Sequence, residues 1–347
     1  MSTKVSIKDI AEKTGLSITT VSRVLNGKAK QYRIGKKSQL NVERAARELY
    51  YVPNYFAANL KSGKSNTIGL IIPSLSNPFF ANIASIINNE VRKHGYTLVI
   101  ADSNEEFETE KMVVQQFVAR NIEGLIIVPC GSAVEHLEQI NSQGLPLILL
   151  DRYFENSNIP FVATDNFEGA VMATKNLLDY GHSFIACIQG VKKSMPNKLR
   201  LNGFKETMHK AGKEDIRIVG DDFSVQNGYL ETKLMLQWQE RPTAIFTLSN
   251  TIAMGCLKAL KEEKIQVPED ISIITFDDHP YLDFLATPIT SIAQPVEHIC
   301  KIALRYLFSR INDDEESIAN QVILKPELKI RESVKRNNVA TSKQTLE

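Results

Sequence analysis

From Thr67 onward the sequence sets ten short apolar runs among stretches of helical spacing, and this alternation limits the fold more than any other feature. The runs are 68–73, 98–101, 125–129, 147–150, 161–164, 184–188, 216–219, 244–248, 271–276 and 291–293. They are rich in β-branched residues and show no alternation of apolar with polar. A strand of that kind is buried on both faces, which requires a parallel sheet covered by helices. Ten strands are too many for one compact sheet of ordinary size. Two α/β lobes with a ligand cleft between them accommodate the series.

The chain before Thr67 is different in charge and in pattern. Residues 1–64 carry 13 Lys and Arg against 4 Asp and Glu, net +9, while the whole chain is only +1. A basic head on an acidic body points to a head that meets a polyanion. The head reads as three short helices. Ser6-x-x-Asp9 is a capping box that opens the first, which runs to Lys13, and Gly15 ends it. Ser17 caps a second helix to about Leu25, and a third spans about 38–50. Two helices joined by a short glycine-containing turn form a helix-turn-helix, which leaves the start of the second helix exposed. Ile18, Thr19, Thr20, Ser22 and Arg23 occupy that face. Hydroxyls and an arginine suit base edges and phosphates, and Ile18 suits a thymine methyl. A plain three-helix bundle is the alternative, and the charge argues against it. Pro53 breaks the third helix. Residues 54–61 again have helical spacing, and 61–66 read as a linker. The stretch 58–65 is one residue from a Walker A loop, but it lacks the first glycine and precedes a strand, so it is no phosphate loop.

Composition excludes other classes. With 43% hydrophobic and 23% charged residues in 347, the chain is neither disordered throughout nor collagen-like nor a disulfide scaffold. No apolar run reaches the ~18 residues that cross a bilayer, and the start lacks an apolar leader segment, so a cytoplasmic protein without membrane association is expected. Cys130, Cys187, Cys256 and Cys300 have no zinc or CxxC spacing and read as buried free thiols. Residues 334–347 are polar and expected to be disordered.

These residues together resemble the lactose/galactose repressor (LacI/GalR) family of bacterial transcription regulators. The carriers are SIKDIAEKTGLSITTVSRVLN at 6–26, YVPNYFAANLK at 51–61, NTIGLIIP at 66–73 and SNPFF at 76–80. LDR at 150–152, RLNGF at 200–204, PTAIF at 242–246, FDD at 276–278 and IRES at 330–333 extend it over the chain. The resemblance implies a small all-α helix-turn-helix head plus an α/β periplasmic-binding-protein-like core of two doubly wound parallel-sheet lobes. It divides the chain into a head (1–51), a hinge helix and linker (52–66), an effector-binding and dimerisation core (67–333) and the tail (334–347). It implies a homodimer on a palindromic double-stranded operator, a small-molecule effector of sugar type in the cleft, and no cofactor. Two departures stand out. The loop 28–37 makes the head about three residues longer than most members. Ser249-Asn250 replaces the usual Asn-Asp, which removes a carboxylate acceptor for a sugar hydroxyl.

Site roles follow residue by residue from the same resemblance. Ile18 and Thr19 face bases, Arg23 forks onto guanine or pins a phosphate, and Ser17, Thr20, Ser22 and Asn26 fix the backbone. Lys28, Lys30, Arg33, Lys36 and Lys37 contact phosphates or are solvated. In the hinge, Leu60 wedges into the minor groove, Ala57 lets two hinge helices pack closely and Lys61 follows the groove wall. Arg200 and Asp277 bind effector and Phe223 stacks on it. Phe79 and Phe80 line the near wall, with core or dimer interface as the other reading of Phe80. Ser249, Asn250 and Gln294 are further candidates. Asp151 either binds effector or forms a structural ion pair with Arg152. An enzyme using Asp277 and Asp278 as a carboxylate pair, and a transport binding protein, are the competing functions. The first lacks a nucleophile elbow or metal cluster, and the second would not carry the head.

Overall fold

The computed structural model describes residues 5–51, 64–131, 133–314 and 319–337. The chain divides into two units, Met1–Ser65 and Asn66–Glu347. In the first, α1 (Ile7–Thr14), α2 (Ile18–Leu25) and α3 (Lys36–Glu48) enclose a small core of Ile10, Val21, Val24, Val42 and Ala45. The Ser6–Asp9 capping box forms. Gly15 takes φ 69°, a left-handed turn that a side chain resists, and sends its N–H to Ala11 O. The Ser17 hydroxyl then accepts the Thr20 N–H and starts α2. The third helix begins two residues earlier than the spacing suggests and ends before Tyr50, whose φ of 51° breaks it.

In the second unit β1 (Thr67–Ile72), α4 (Pro78–Lys93), β2 (Thr97–Asp102), α5 (Phe107–Ala119), β3 (Gly124–Ile127), α6 (Glu135–Ser142), β4 (Leu147–Leu150) and β5 (Phe161–Thr164) build lobe one. Then α7 (Asn166–Asp179), β6 (Ile185–Ile188), α8 (Met195–Lys210), β7 (Arg217–Val219), α9 (Val225–Met235), β8 (Ala244–Thr247), α10 (Asn250–Glu262), β9 (Ser272–Phe276) and β10 (Thr290–Ala293) build lobe two. The chain returns to lobe one with α11 (Val296–Ile311) and β11 (Gln321–Leu324), and to lobe two with β12 (Glu327–Lys329). The sheet orders are β11-β5-β4-β3-β1-β2 and β12-β10-β9-β8-β6-β7. Among the described residues every pairing is parallel except β10 with β12. Each sheet is covered by apolar packing on both faces. All ten sequence-predicted strands form. β11 and β12 are additional: both are short, lie at sheet edges and have no fully buried residue.

The segment after Ser333 departs from the expected disordered tail as far as Asn337. Val334 packs on the lobe-two core. The Lys335 N–H donates to Ser272 Oγ at 3.1 Å, and Asn337 N–H to Tyr180 O at 2.8 Å. His182, buried, donates from Nε2 to Lys335 O at 3.0 Å. Burial lowers the His182 pKa, and the other ring nitrogen lies 3.0 Å from Thr243 Oγ1. Polar composition hid these anchors because most of them use backbone groups.

The four cysteines are buried free thiols, as read from their spacing. Burial pushes Cys130, Cys256 and Cys300 up to about 12. Among the described residues no helix is long and apolar enough to cross a membrane.

Candidate functional site

The exposed face of α2 carries the predicted DNA-reading residues. Ile18 is 49% exposed at the first helical position, where its side chain is accessible to a partner. Ser17, Thr19 and Asn26 are exposed, and Thr20, Ser22 and Arg23 are half-buried. Ser17 Oγ lies 2.8 Å from Thr20 Oγ1 and accepts the Thr20 N–H at 3.1 Å. Asn26 Nδ2 donates to Ser22 O at 2.8 Å and to Ser22 Oγ at 3.2 Å. These four therefore also fix the two ends of α2. Arg23 has no hydrogen bond or ion pair from its side chain among the described residues; its guanidinium carbon sits 3.8 Å from the centre of the Tyr32 ring. Ala57, Leu60 and Lys61 lie outside the described residues.

The second cluster lies where the C-terminal ends of the strands of both lobes meet, the expected ligand position in an α/β sheet. Asp151 follows β4 and Asp277 follows β9, and both adopt positive φ, 64° and 71°. Arg200, on α8, is 3% exposed and connects the parts. Its Nε donates to Asn166 Oδ1 at 2.7 Å and its Nη1 to Leu248 O at 2.6 Å. Its Nη2 is 3.6 Å from Asp277 Oδ1, and its plane rests on the Phe276 ring at 3.7 Å. Gln294 Nε2 donates to Asp277 Oδ1 at 2.6 Å. Burial raises both carboxyls against the pull of Arg200, Asp151 to about 6. Burial also lowers the Arg200 pKa, an effect that Asp277 and Asp151 oppose.

Several buried polar atoms there have no partner among the described residues: Asp151 Oδ1, Arg152 Nε, and both side-chain polar atoms of Asn250. A buried polar atom without a hydrogen bond costs roughly 1–3 kcal/mol. Atoms of that kind are open to bonds from a polar ligand.

The structure redistributes some predicted roles. The ion pair of Arg152 is not with Asp151 but with Glu105, through bonds of 2.6 and 2.8 Å. Asp151 is left with an unpaired oxygen, so of its two readings the ligand contact is favoured. Ser249 caps α10, accepting the Ile252 N–H at 3.3 Å, and lies 2.9 Å from Thr251 Oγ1. Its oxygen is already committed, whereas the Asn250 amide is open. Phe79 and Phe80 are both buried in the lobe-one core, edge to face at 5.2 Å. Phe80 also faces Arg152, whose guanidinium carbon is 5.8 Å from its ring centre. Phe223 is half-buried and packs against Gly190, where a Cβ would come within 2.2 Å of its ring. The Phe223 carbonyl accepts from Thr251 Oγ1 at 2.9 Å, which places the aromatic beside the start of α10. Asp277 and Asp278 diverge: Asp278 accepts from Ser291 Oγ at 2.7 Å and pairs with Arg331 at 2.9 Å. They do not form the convergent carboxylate pair that the enzyme reading needs.

Sequence reasoning missed Glu105, Thr164 and Asn166. The polar trio Thr164-Asp165-Asn166 directly after a buried strand was the available signal. Glu105 lies in a turn with positive φ, 57°, and its pairing with a residue 47 positions away has no local trace.

Comparisons with known proteins agree with this geometry. Residues 6–54 match the bacterial regulatory proteins, lacI family, and residues 174–334 match the periplasmic binding protein-like domain. The ribose operon repressor of Halalkalibacterium halodurans is 34% identical over 306 residues, 88% of this chain and 90% of its own. The lac repressor dimer bound to operator and the anti-inducer ONPF superposes with a TM-score of 0.84 at 25% identity, covering 95% of this chain and 99% of that one. A LacI family transcriptional regulator from Enterococcus faecium with bound ribose gives 0.72 at 26% identity, covering 78% and 99%. With head, core and site arranged in this way, the chain belongs to the lacI family of bacterial regulatory proteins.

Proposed function

We propose that this chain is a cytoplasmic, non-enzymatic repressor. It binds a pseudo-palindromic operator as a homodimer, and its affinity for that operator changes when a sugar occupies the cleft between the lobes. The carrying observation is the set of unpartnered buried atoms at the strand ends. Asp151 Oδ1 accepts, Arg152 Nε donates, and the Asn250 amide does both. Hydroxyl groups donate and accept at once, so a polyol satisfies such a mixture. A strongly anionic ligand does not fit, because Asp151, Asp277 and Glu105 outnumber Arg152 and Arg200. The relatives associated with ribose make that pentose the first candidate, ahead of a ribonucleoside. Phe223 supplies an apolar face for the sugar ring.

On the head, Ile18, Thr19 and Arg23 read base edges, and Ser17, Thr20, Ser22 and Asn26 set the backbone. Ala57, Leu60 and Lys61 act in the hinge. Calorimetric titration of the full chain with ribose, other monosaccharides and ribonucleosides tests the effector. Arg200→Ala and Asn250→Ala are expected to remove the binding while operator binding survives. If no sugar in the panel binds wild-type protein, the assignment of the cleft is wrong.

A further inference from the structure

Arg23 lies on the face of α2 that reads DNA, yet no carboxylate or carbonyl among the described residues holds its side chain. An arginine with that freedom loses rotamer entropy when it docks on a base. Here an aromatic ring takes the place of a polar partner. The loop after α2 folds back as a turn over residues 29–33, and the turn is anchored at both ends. The Lys28 N–H donates to the carbonyl of Arg23 itself at 2.9 Å. Ala29, 7% exposed, enters the head core. The Ile34 N–H closes onto Ala29 O at 2.9 Å, and Gln39 Nε2 holds Ile34 O at 2.7 Å. Tyr32 is carried on this turn, with its N–H on Lys28 O at 3.2 Å, and its ring faces the Arg23 guanidinium at 3.8 Å.

We propose that Tyr32 is a positioning residue for DNA reading: its ring holds the Arg23 guanidinium over the exposed face of α2, so that the N–H donors reach the groove already oriented. Stacking occupies the face of the guanidinium and leaves its edge free, and the edge is what forks onto guanine. Tyr32 is 45% exposed, more than a ring placed only to fill the head core would be. The inference rests on the DNA-reading role proposed above for α2.

The test uses the full-length chain and a duplex that it selects from a random pool, with binding measured to that duplex, to single-base variants of it and to non-specific DNA. If the wild type selects no common sequence, the DNA-reading proposal itself fails. Given a selected duplex, Tyr32→Ala is expected to weaken binding about two- to fivefold per head, the range of an exposed cation–π contact, and by the square of that for a dimer using two heads. It is also expected to flatten discrimination at the base pair that Arg23→Ala flattens, and to add nothing in the Arg23→Ala background. Tyr32→Phe keeps the ring and is expected to behave as wild type. Three results overturn the proposal. One is unchanged binding by Tyr32→Ala. Another is equal loss in Tyr32→Phe and Tyr32→Ala, which would make the hydroxyl a phosphate ligand. The last is an undiminished Tyr32→Ala effect without Arg23, accompanied by a lower melting temperature, which would make the residue merely structural.

Discussion

Thr164 Oγ1 donates to Gln294 Oε1 at 2.5 Å, a bond between the end of β5 in lobe one and the crossover that follows β10 of lobe two. Gln294 Nε2 continues it to Asp277, so one amide ties a hydroxyl of lobe one to a carboxylate of lobe two. Both ends are buried. The lobes are thus latched in this structure through a residue beside the proposed ligand. Gln294→Leu is expected to lower stability by about 1–3 kcal/mol, because two buried groups lose a partner. It is also expected to weaken the ligand response of DNA binding. Thermal melting and operator titration with and without ribose check both effects; an unchanged melt and response would show that the latch carries no energy.

The raised Asp151 carboxyl gives a pH dependence with a definite sign. Its folded value, about 6, lies above the ordinary 3.8, so between those values the folded chain holds a proton that the unfolded chain has released. Stability from this group therefore falls as pH rises from about 4 to 6, and the penalty is complete at neutral pH. Asp151→Asn is expected to be more stable than wild type at pH 7 and to lose that advantage near pH 4. Ligand hydroxyls that donate to the ionised form bind less tightly below pH 6 in wild type. Melting curves and sugar titrations across pH 4.5–7.5 measure the two slopes.

Arg152 is expected to depend on Glu105 for its place. Removing one partner of a buried pair leaves an uncompensated charge, which costs up to about 3–5 kcal/mol. Glu105 is 28% exposed at its side chain, so the lower end applies to Glu105→Ala. Sugar affinity is expected to fall with it, because Arg152 Nε then loses its orientation. Urea unfolding followed beside sugar titration separates the two; equal stability in the variant contradicts the pairing.

Leu60 offers the test of the hinge. The hinge proposed for residues 54–61 has eight residues, below the ~12–15 that an isolated helix needs in water, so the proposal requires DNA and a second subunit to supply its stability. Leu60→Gly is expected to abolish operator bending and weaken specific binding strongly. Salt-dependent non-specific binding through the basic head is expected to persist. A circular-permutation gel assay reads the bend, and a normal bend in the variant removes the wedge mechanism.

The sequence exposed whatever left a periodic or capped signature. The buried strands showed as uninterrupted apolar runs, and α1 and α2 showed through Ser6, Gly15 and Ser17. β11 was invisible because half of Gln321–Leu324 faces outward, and β12 because Glu327–Lys329 is a polar edge paired antiparallel. The cleft was legible as Arg200, Asp277, Asn250 and Gln294 through the family resemblance alone. What no local pattern encodes is which charge meets which. Arg152 passes over its neighbour Asp151 for Glu105, and that choice is made by the turn after β2.

The three passages between lobes have a consequence for the order in which the molecule is made. Lobe one begins at Thr67 but takes its edge strand from Gln321–Leu324 and a covering helix from Val296–Ile311. Lobe two begins at Asn166 and closes its edge with Glu327–Lys329. A nascent chain leaving the ribosome therefore presents the open β5 edge while all of the second lobe but its edge strand β12 is made. Neither half closes first as an independent unit, because the strands that seal them, Gln321–Leu324 and Glu327–Lys329, are translated one directly after the other.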